Sequence, residues 1–177
     1  MNFLALVRKE VKELLRTYRL LIVVAVLGAL GLFSPALAYL APELVARIGP
    51  QFQGLVPPPT ASDALAQYQK NLVQFGALLA IILGMGSVAQ EKESGTAGML
   101  LTKPVSRLEF LLAKLLAQWG AFFLALAVAG IGCYLYTWLL FEPLAVWPFL
   151  ALNLLIASFL AFYVALSLAA SALAPST

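Results

Sequence analysis

The 177-residue chain has no histidine and one cysteine, Cys133, set inside an apolar run. Neither a disulfide framework nor a Cys/His metal centre can be assembled from that inventory. Charge is scarce too: Asp, Glu, Lys and Arg make up 11% of the residues, against about a quarter in soluble domains. No G-x-x-x-x-G-K-[ST] run occurs, so the chain has no loop of its own to cradle a nucleotide's phosphates. The long apolar runs hold neither Asp nor His, which removes the base, metal or paired carboxylates that intramembrane hydrolysis needs. What the chain has in excess is hydrocarbon. With 63% hydrophobic residues and a mean hydropathy of +0.96, it reads as a protein whose solvent is a bilayer.

The net charge of +3 does not point to nucleic acid, because the 11 basic residues flank apolar runs and form no compact stripe. Charge instead divides the chain, with seven charged residues in 1–19 and seven more in 91–114. Between and beyond these segments lie four apolar runs, 20–40, 72–90, 109–141 and 146–174. About 20 residues of helix cross a hydrocarbon core of about 30 Å. Each run is expected to be a helix, since a lipid-exposed backbone must satisfy its own hydrogen bonds and the runs are too uniformly apolar for barrel strands. The expected fold is therefore all-α and polytopic: one transmembrane domain over 1–177, with an interfacial helix and four transmembrane helices.

Nine Lys and Arg lie in the N-terminal segment and in the segment between the second and third runs, whereas Arg47 and Lys70 are alone on the opposite side. Basic flanks stay in the cytoplasm, so both termini and residues 91–108 are expected inside, with 41–71 outside. A cleaved signal peptide ending at Ala36 to Ala38 is the rival reading of the N-terminus, but its apolar core would exceed the usual 7–15 residues. Residues 1–19 carry more pattern than a topogenic tail requires. Phe3, Val7, Val11, Leu14 and Tyr18 share a helical face opposite Lys9, Lys12, Glu13 and Arg16, which predicts an elbow helix lying in the headgroup plane against membrane lipids. In 41–71, Pro42, Pro50 and Pro57 to Pro59 exclude a continuous helix, and helix formers resume at Thr60 or Ser62, with Ser62 a plausible cap.

The segment "EKESGTAGMLLTKPVSRLEFLLAK" is the polar interruption of this pattern. Glu91, Lys92 and Glu93 extend the second membrane helix into water, and Ser94 with Gly95 breaks it. Residues 96–102 suffice for two crosswise helical turns carrying Met99, Leu100 and Leu101, stopped by Lys103 and Pro104. Ser106 and Glu109 then form the pattern of a capping box that starts the third span. A short apolar cluster ringed by charge suits docking on a protein or resting in the lipid interface.

This run resembles the signature segment of ATP-binding-cassette (ABC) type-2 transporter permeases, in the branch that includes multicopper-enzyme maturation permeases. Glu91, Glu93, Gly95, Thr96, Leu100, Leu101, Pro104, Ser106, Arg107 and Lys114 fall on its pattern, and "LVRKEVKELLRTYRLL" is similar to the family's elbow helix. The resemblance implies that 91–108 is a coupling loop whose short helix seats in a separate ATPase subunit. It further implies two ATPase copies binding ATP and Mg, a second permease subunit as homo- or heterodimer, export, and a prokaryotic cell membrane. Family members typically have six membrane helices, so four are expected to be either a fragment of such a permease or a naturally short form, the fragment being favoured by the lack of a basic flank after the last run. The chain itself is expected to hold no cofactor and to be no enzyme. A non-transporting scaffold that recruits a partner through 91–108 is the alternative; a secondary transporter is disfavoured because no charge lies deep in a span. Ser87, Asn153, Ser158, Ser167 and Ser171, with Gly84, Gly86, Gly130 and Gly132, are expected to serve interhelical packing and hydrogen bonding.

Overall fold

The computed structural model describes residues 3–49, 57–93 and 106–173. Every regular element among them is an α-helix: α1 (Phe3–Arg16), α2 (Arg19–Ile48), α3 (Ala61–Glu93), α4 (Arg107–Leu140) and α5 (Val146–Leu173). Three of these, α2, α4 and α5, are long and apolar enough to cross a membrane. The expected fourth span, 72–90, is the apolar second half of α3. The first half of α3 carries Gln67, Gln69, Lys70, Asn71 and Gln74, and over its described residues the helix does not reach the same standard.

The helix ends follow local chemistry. α2 runs beyond the expected 20–40 and keeps both Pro35 and Pro42 inside it. Membrane helices tolerate proline where nearby hydroxyls and neighbouring helices serve the disturbed backbone, and Ser34 donates to the Leu30 carbonyl at 2.6 Å. α3 starts one residue after Thr60, whose amide and hydroxyl both donate to Asp63 Oδ2, at 2.9 and 2.6 Å. Ser62 is not the capping residue; its hydroxyl shares a 2.7 Å hydrogen bond with that of Thr60. α4 opens with the expected capping box: Ser106 Oγ accepts from the Glu109 amide at 3.2 Å, and Glu109 Oε2 accepts from the Ser106 amide at 2.8 Å. Between α1 and α2, Tyr18 adopts left-handed backbone (φ 58°), a cost of about 1–2 kcal/mol for a non-glycine residue, and turns the chain from the elbow into the first span.

The two largest seams in the bundle join helices that are not consecutive in sequence, α2 with α4 and α3 with α5. α2 lies between α4 and α3, α3 packs along α5, and α1 lies across α4. The seam between the consecutive helices α4 and α5 is much thinner than those of α2 with α4 and of α3 with α5. What brings α4 so close is a row of small residues: Ala113, Ala117, Ala121, Ala125, Ala129, Cys133 and Thr137 recur every fourth position, and all are buried. Residues four apart share a helix face, and small ones let backbones approach where lipid offers no hydrophobic drive between helices. Gly31 of α2 meets this row, and a Cβ there would come within 2.7 Å of Ala129 Cα. Around the row, Val23, Leu27, Tyr68, Leu72, Phe122, Leu126, Leu160 and Val164 form the core.

Candidate functional site

The elbow helix packs Phe3, Val7, Val11 and Leu14 of its predicted face against the bundle, but the buried stripe is centred one position to the side. Leu6, Glu10 and Leu14 are its buried residues, with Phe3, Val7 and Val11 packed beside them; Tyr18 lies beyond the end of α1 and is exposed. A glutamate thus occupies the centre of the packed stripe, spaced four residues from each leucine.

Its partner is Lys114 on the second turn of α4, 104 positions away in sequence. Lys114 Nζ donates to Glu10 Oε2 at 2.8 Å, with side chains only 2% and 7% exposed. Lys9 Nζ holds the other carboxylate oxygen at 3.0 Å and reaches Glu13 at 3.5 Å, so both oxygens of Glu10 are engaged. The Lys114 ammonium also lies 5.2 Å from the centroid of the Phe110 ring, within cation–π range. Ala117 and Ala121 let Leu14 sit against α4 one turn further on. A pair this dry is a fastening and not a source of net stability: desolvation offsets much of its attraction, but removal of either partner takes the nearest counter-charge from a buried ion, at a cost of up to about 3–5 kcal/mol.

Beside the pair is a small polar cavity lined by Glu10, Glu13, Thr17, Ser87, Lys114 and Gln118. It brings together α1, the last quarter of α3 and the start of α4. Gln118 Oε1 is the one buried side-chain oxygen or nitrogen among the described residues without a hydrogen-bond partner. The two helices that flank 94–105 therefore both meet the elbow here.

Of the residues predicted for the loop, Gly95, Thr96, Met99, Leu100, Leu101 and Pro104, and with them the crosswise helix, lie outside the described residues. Glu91 and Glu93 are helical, at the end of α3, and Arg107 opens α4; the side chains of these three lie outside the described residues. Ser106 is exposed and caps α4. Lys114 was already part of the recognised pattern, but Glu10 was not, and its signal was present: a charged residue four positions from Leu6 and from Leu14 on an otherwise apolar stripe.

Several polar residues of the spans join one helix to another, whereas Ser158 donates to the Leu154 carbonyl of its own helix and does not. Ser167 Oγ donates to the Ala80 carbonyl at 3.1 Å and Ser171 Oγ to the Met85 carbonyl at 2.7 Å, joining α5 to α3. In the half of the bundle remote from α1, Tyr68 OH donates to Asn153 Oδ1 at 2.6 Å, and Asn71 Nδ2 donates to Ser34 Oγ at 3.0 Å. Gly84 permits the α3–α5 approach, since a Cβ there would run into Ser167. These hydroxyls and amides act as interhelical hydrogen-bonding groups.

Membrane-length helices, a buried ionic clasp at one end and neutral polar pairs at the other define a polytopic helical membrane protein with one specialised end. The chain belongs to the ABC-2 transporter family: the family's model, described as ABC-2 family transporter protein, matches residues 4–177. It is 30% identical over 172 residues to an uncharacterized transmembrane protein of Bacillus subtilis (strain 168), YxlG, in an alignment covering 95% of this chain. The chain spans 66% of that relative's length. No solved structure matches.

Proposed function

We propose that the chain is the membrane-spanning permease part of an ABC exporter, driven by ATP hydrolysis on a separate ATPase subunit that binds ATP and Mg. The observation that carries this reading is the Glu10–Lys114 clasp, which fastens the elbow to the helix that follows residues 94–105. A push delivered to that segment would reach α4 directly and the elbow through the clasp, so one contact moves two elements. The apolar second half of α3 is the fourth span, both termini and residues 91–108 face the cytoplasm, and the elbow rides on the headgroups of the cell membrane. Two permease copies and two ATPase copies make the working assembly, with Met99, Leu100 and Leu101 as the docking cluster and Glu91 and Glu93 as its charged flank.

The test is co-purification of the ATPase subunit with the full-length protein carrying Glu91→Lys and Glu93→Lys. Lost or weakened ATPase association with normal membrane insertion is the expected result. Undiminished association together with full nucleotide-driven transport contradicts the reading, and recruitment by the unaltered protein without any vectorial movement of solute makes it a scaffold.

A further inference from the structure

We infer that the groove between α4 and α5, in the half of the bundle remote from the elbow, holds one acyl chain of a membrane lipid as a resident ligand. The groove lies on the thin α4–α5 seam and encloses about 430 Å³. Its α4 wall runs from Phe123 to Leu135, twelve rises of 1.5 Å or about 18 Å. That is close to one leaflet's share, about 15 Å, of the hydrocarbon core.

A separate protein partner is disfavoured by size. Thirteen residues line the groove, and a stable protein interface uses about 20–30 residues a side. Its chemistry selects hydrocarbon over a headgroup. No charged residue lines it, and its only side-chain amide and hydroxyl are already engaged inside the protein. Asn153 Oδ1 accepts from Tyr68 and Asn153 Nδ2 donates to the Phe149 carbonyl at 2.9 Å, while Tyr134 OH donates to the Leu144 carbonyl at 3.3 Å. The mouth is hydrocarbon as well: Ile131 and Leu154 face each other's helices across it and are 64% and 61% exposed. Held between two helices, such a chain would complete packing that α4 and α5 leave unmade. This inference does not depend on the ATPase reading.

The experiment places photoreactive benzoylphenylalanine at position 131, in the groove, or at position 37, on the exposed face of α2, in full-length protein reconstituted into phosphatidylcholine vesicles. Mass spectrometry then reads the adducts. Expected is a phospholipid adduct about tenfold more abundant at position 131 than at 37. Ala127→Trp, which fills the groove from the α4 wall, should bring the yield at 131 down to that at 37 while leaving 37 unchanged. Leu154→Trp fills it from the α5 wall and serves if the first variant does not fold. Equal lipid yields at 131 and 37 in the unfilled protein overturn the proposal, as does a protein adduct in place of lipid at position 131.

Discussion

The two ends of this bundle solve one problem differently. At the elbow end, beside neutral hydroxyls such as Ser171, a buried ion pair joins helices across 104 positions of sequence, Glu10 with Lys114. At the remote end the joining side chains are neutral, as Tyr68 with Asn153 and Asn71 with Ser34. An ion pair stripped of water is tolerable only where every charge has a partner and further hydrogen bonds complete the shell, and Lys9 completes it for Glu10. Neutral amides and hydroxyls carry a smaller desolvation cost, so they hold helices together without committing them to a single arrangement. The elbow end therefore carries the more costly contact, and it borders the segment proposed above to dock on an ATPase subunit.

The contrast can be broken most forcefully at Lys114. Lys114→Met should destabilise the protein by up to about 3–5 kcal/mol in a chemical-unfolding titration in micelles, because Glu10 Oε2 loses its buried counter-charge and only Lys9, on the other oxygen, remains. Adding Glu10→Leu should restore most of that loss, since an apolar pair of similar volume is often neutral or better. A double variant as unstable as the single one would mean that packing, and not charge, dominates the junction. Tyr68→Phe should cost only about 0.6–1.7 kcal/mol by the same assay, the range of hydrogen bonds between membrane helices. A loss equal to that of Lys114→Met would erase the distinction between the ends.

The smallest effect concerns the start of α3. Hydrogen bonds from the Thr60 side chain, and then its amide, hold the exposed Asp63 carboxyl below its ordinary pKa. A depressed folded-state pKa means that the cap contributes at pH above the unfolded value and is lost as pH falls through the folded one. Amide hydrogen exchange at residues 60–64 should therefore show fraying on acidification, and Asp63→Asn should weaken that pH dependence. An unchanged acid response in Asp63→Asn would assign it to another group.

Much of this fold was legible in the sequence, because hydropathy and proline placement report on single elements. The helical runs, the restart at Thr60 and the Ser106–Glu109 capping box all follow from residues within a few positions of each other. The row from Ala113 to Thr137 was equally local, every fourth residue being small, and it announces α4 as the helix others crowd against. The α2–α4 and α3–α5 pairings were not legible, since hydropathy says that a helix is buried or lipid-facing but not by which neighbour. The clasp was half legible: Lys114 could be matched to a pattern, while Glu10 looked like one more charge on an elbow facing water. Its spacing from Leu6 and Leu14 marks it as part of the packed stripe, but the partner 104 positions away is not encoded in any local spacing.

The central claim is that the end bearing the clasp, with residues 91–108, faces the cytoplasm where an ATPase can reach it. Labelling with a membrane-impermeant thiol reagent tests this most directly, using Lys12→Cys or Pro58→Cys in a Cys133→Ala background. Both altered positions are exposed, one on the elbow and one on the loop before α3. The account predicts that position 58 reacts in intact cells and position 12 only in inverted vesicles. Reaction of position 12 in intact cells, with position 58 protected, would place the clasp outside and contradict the account.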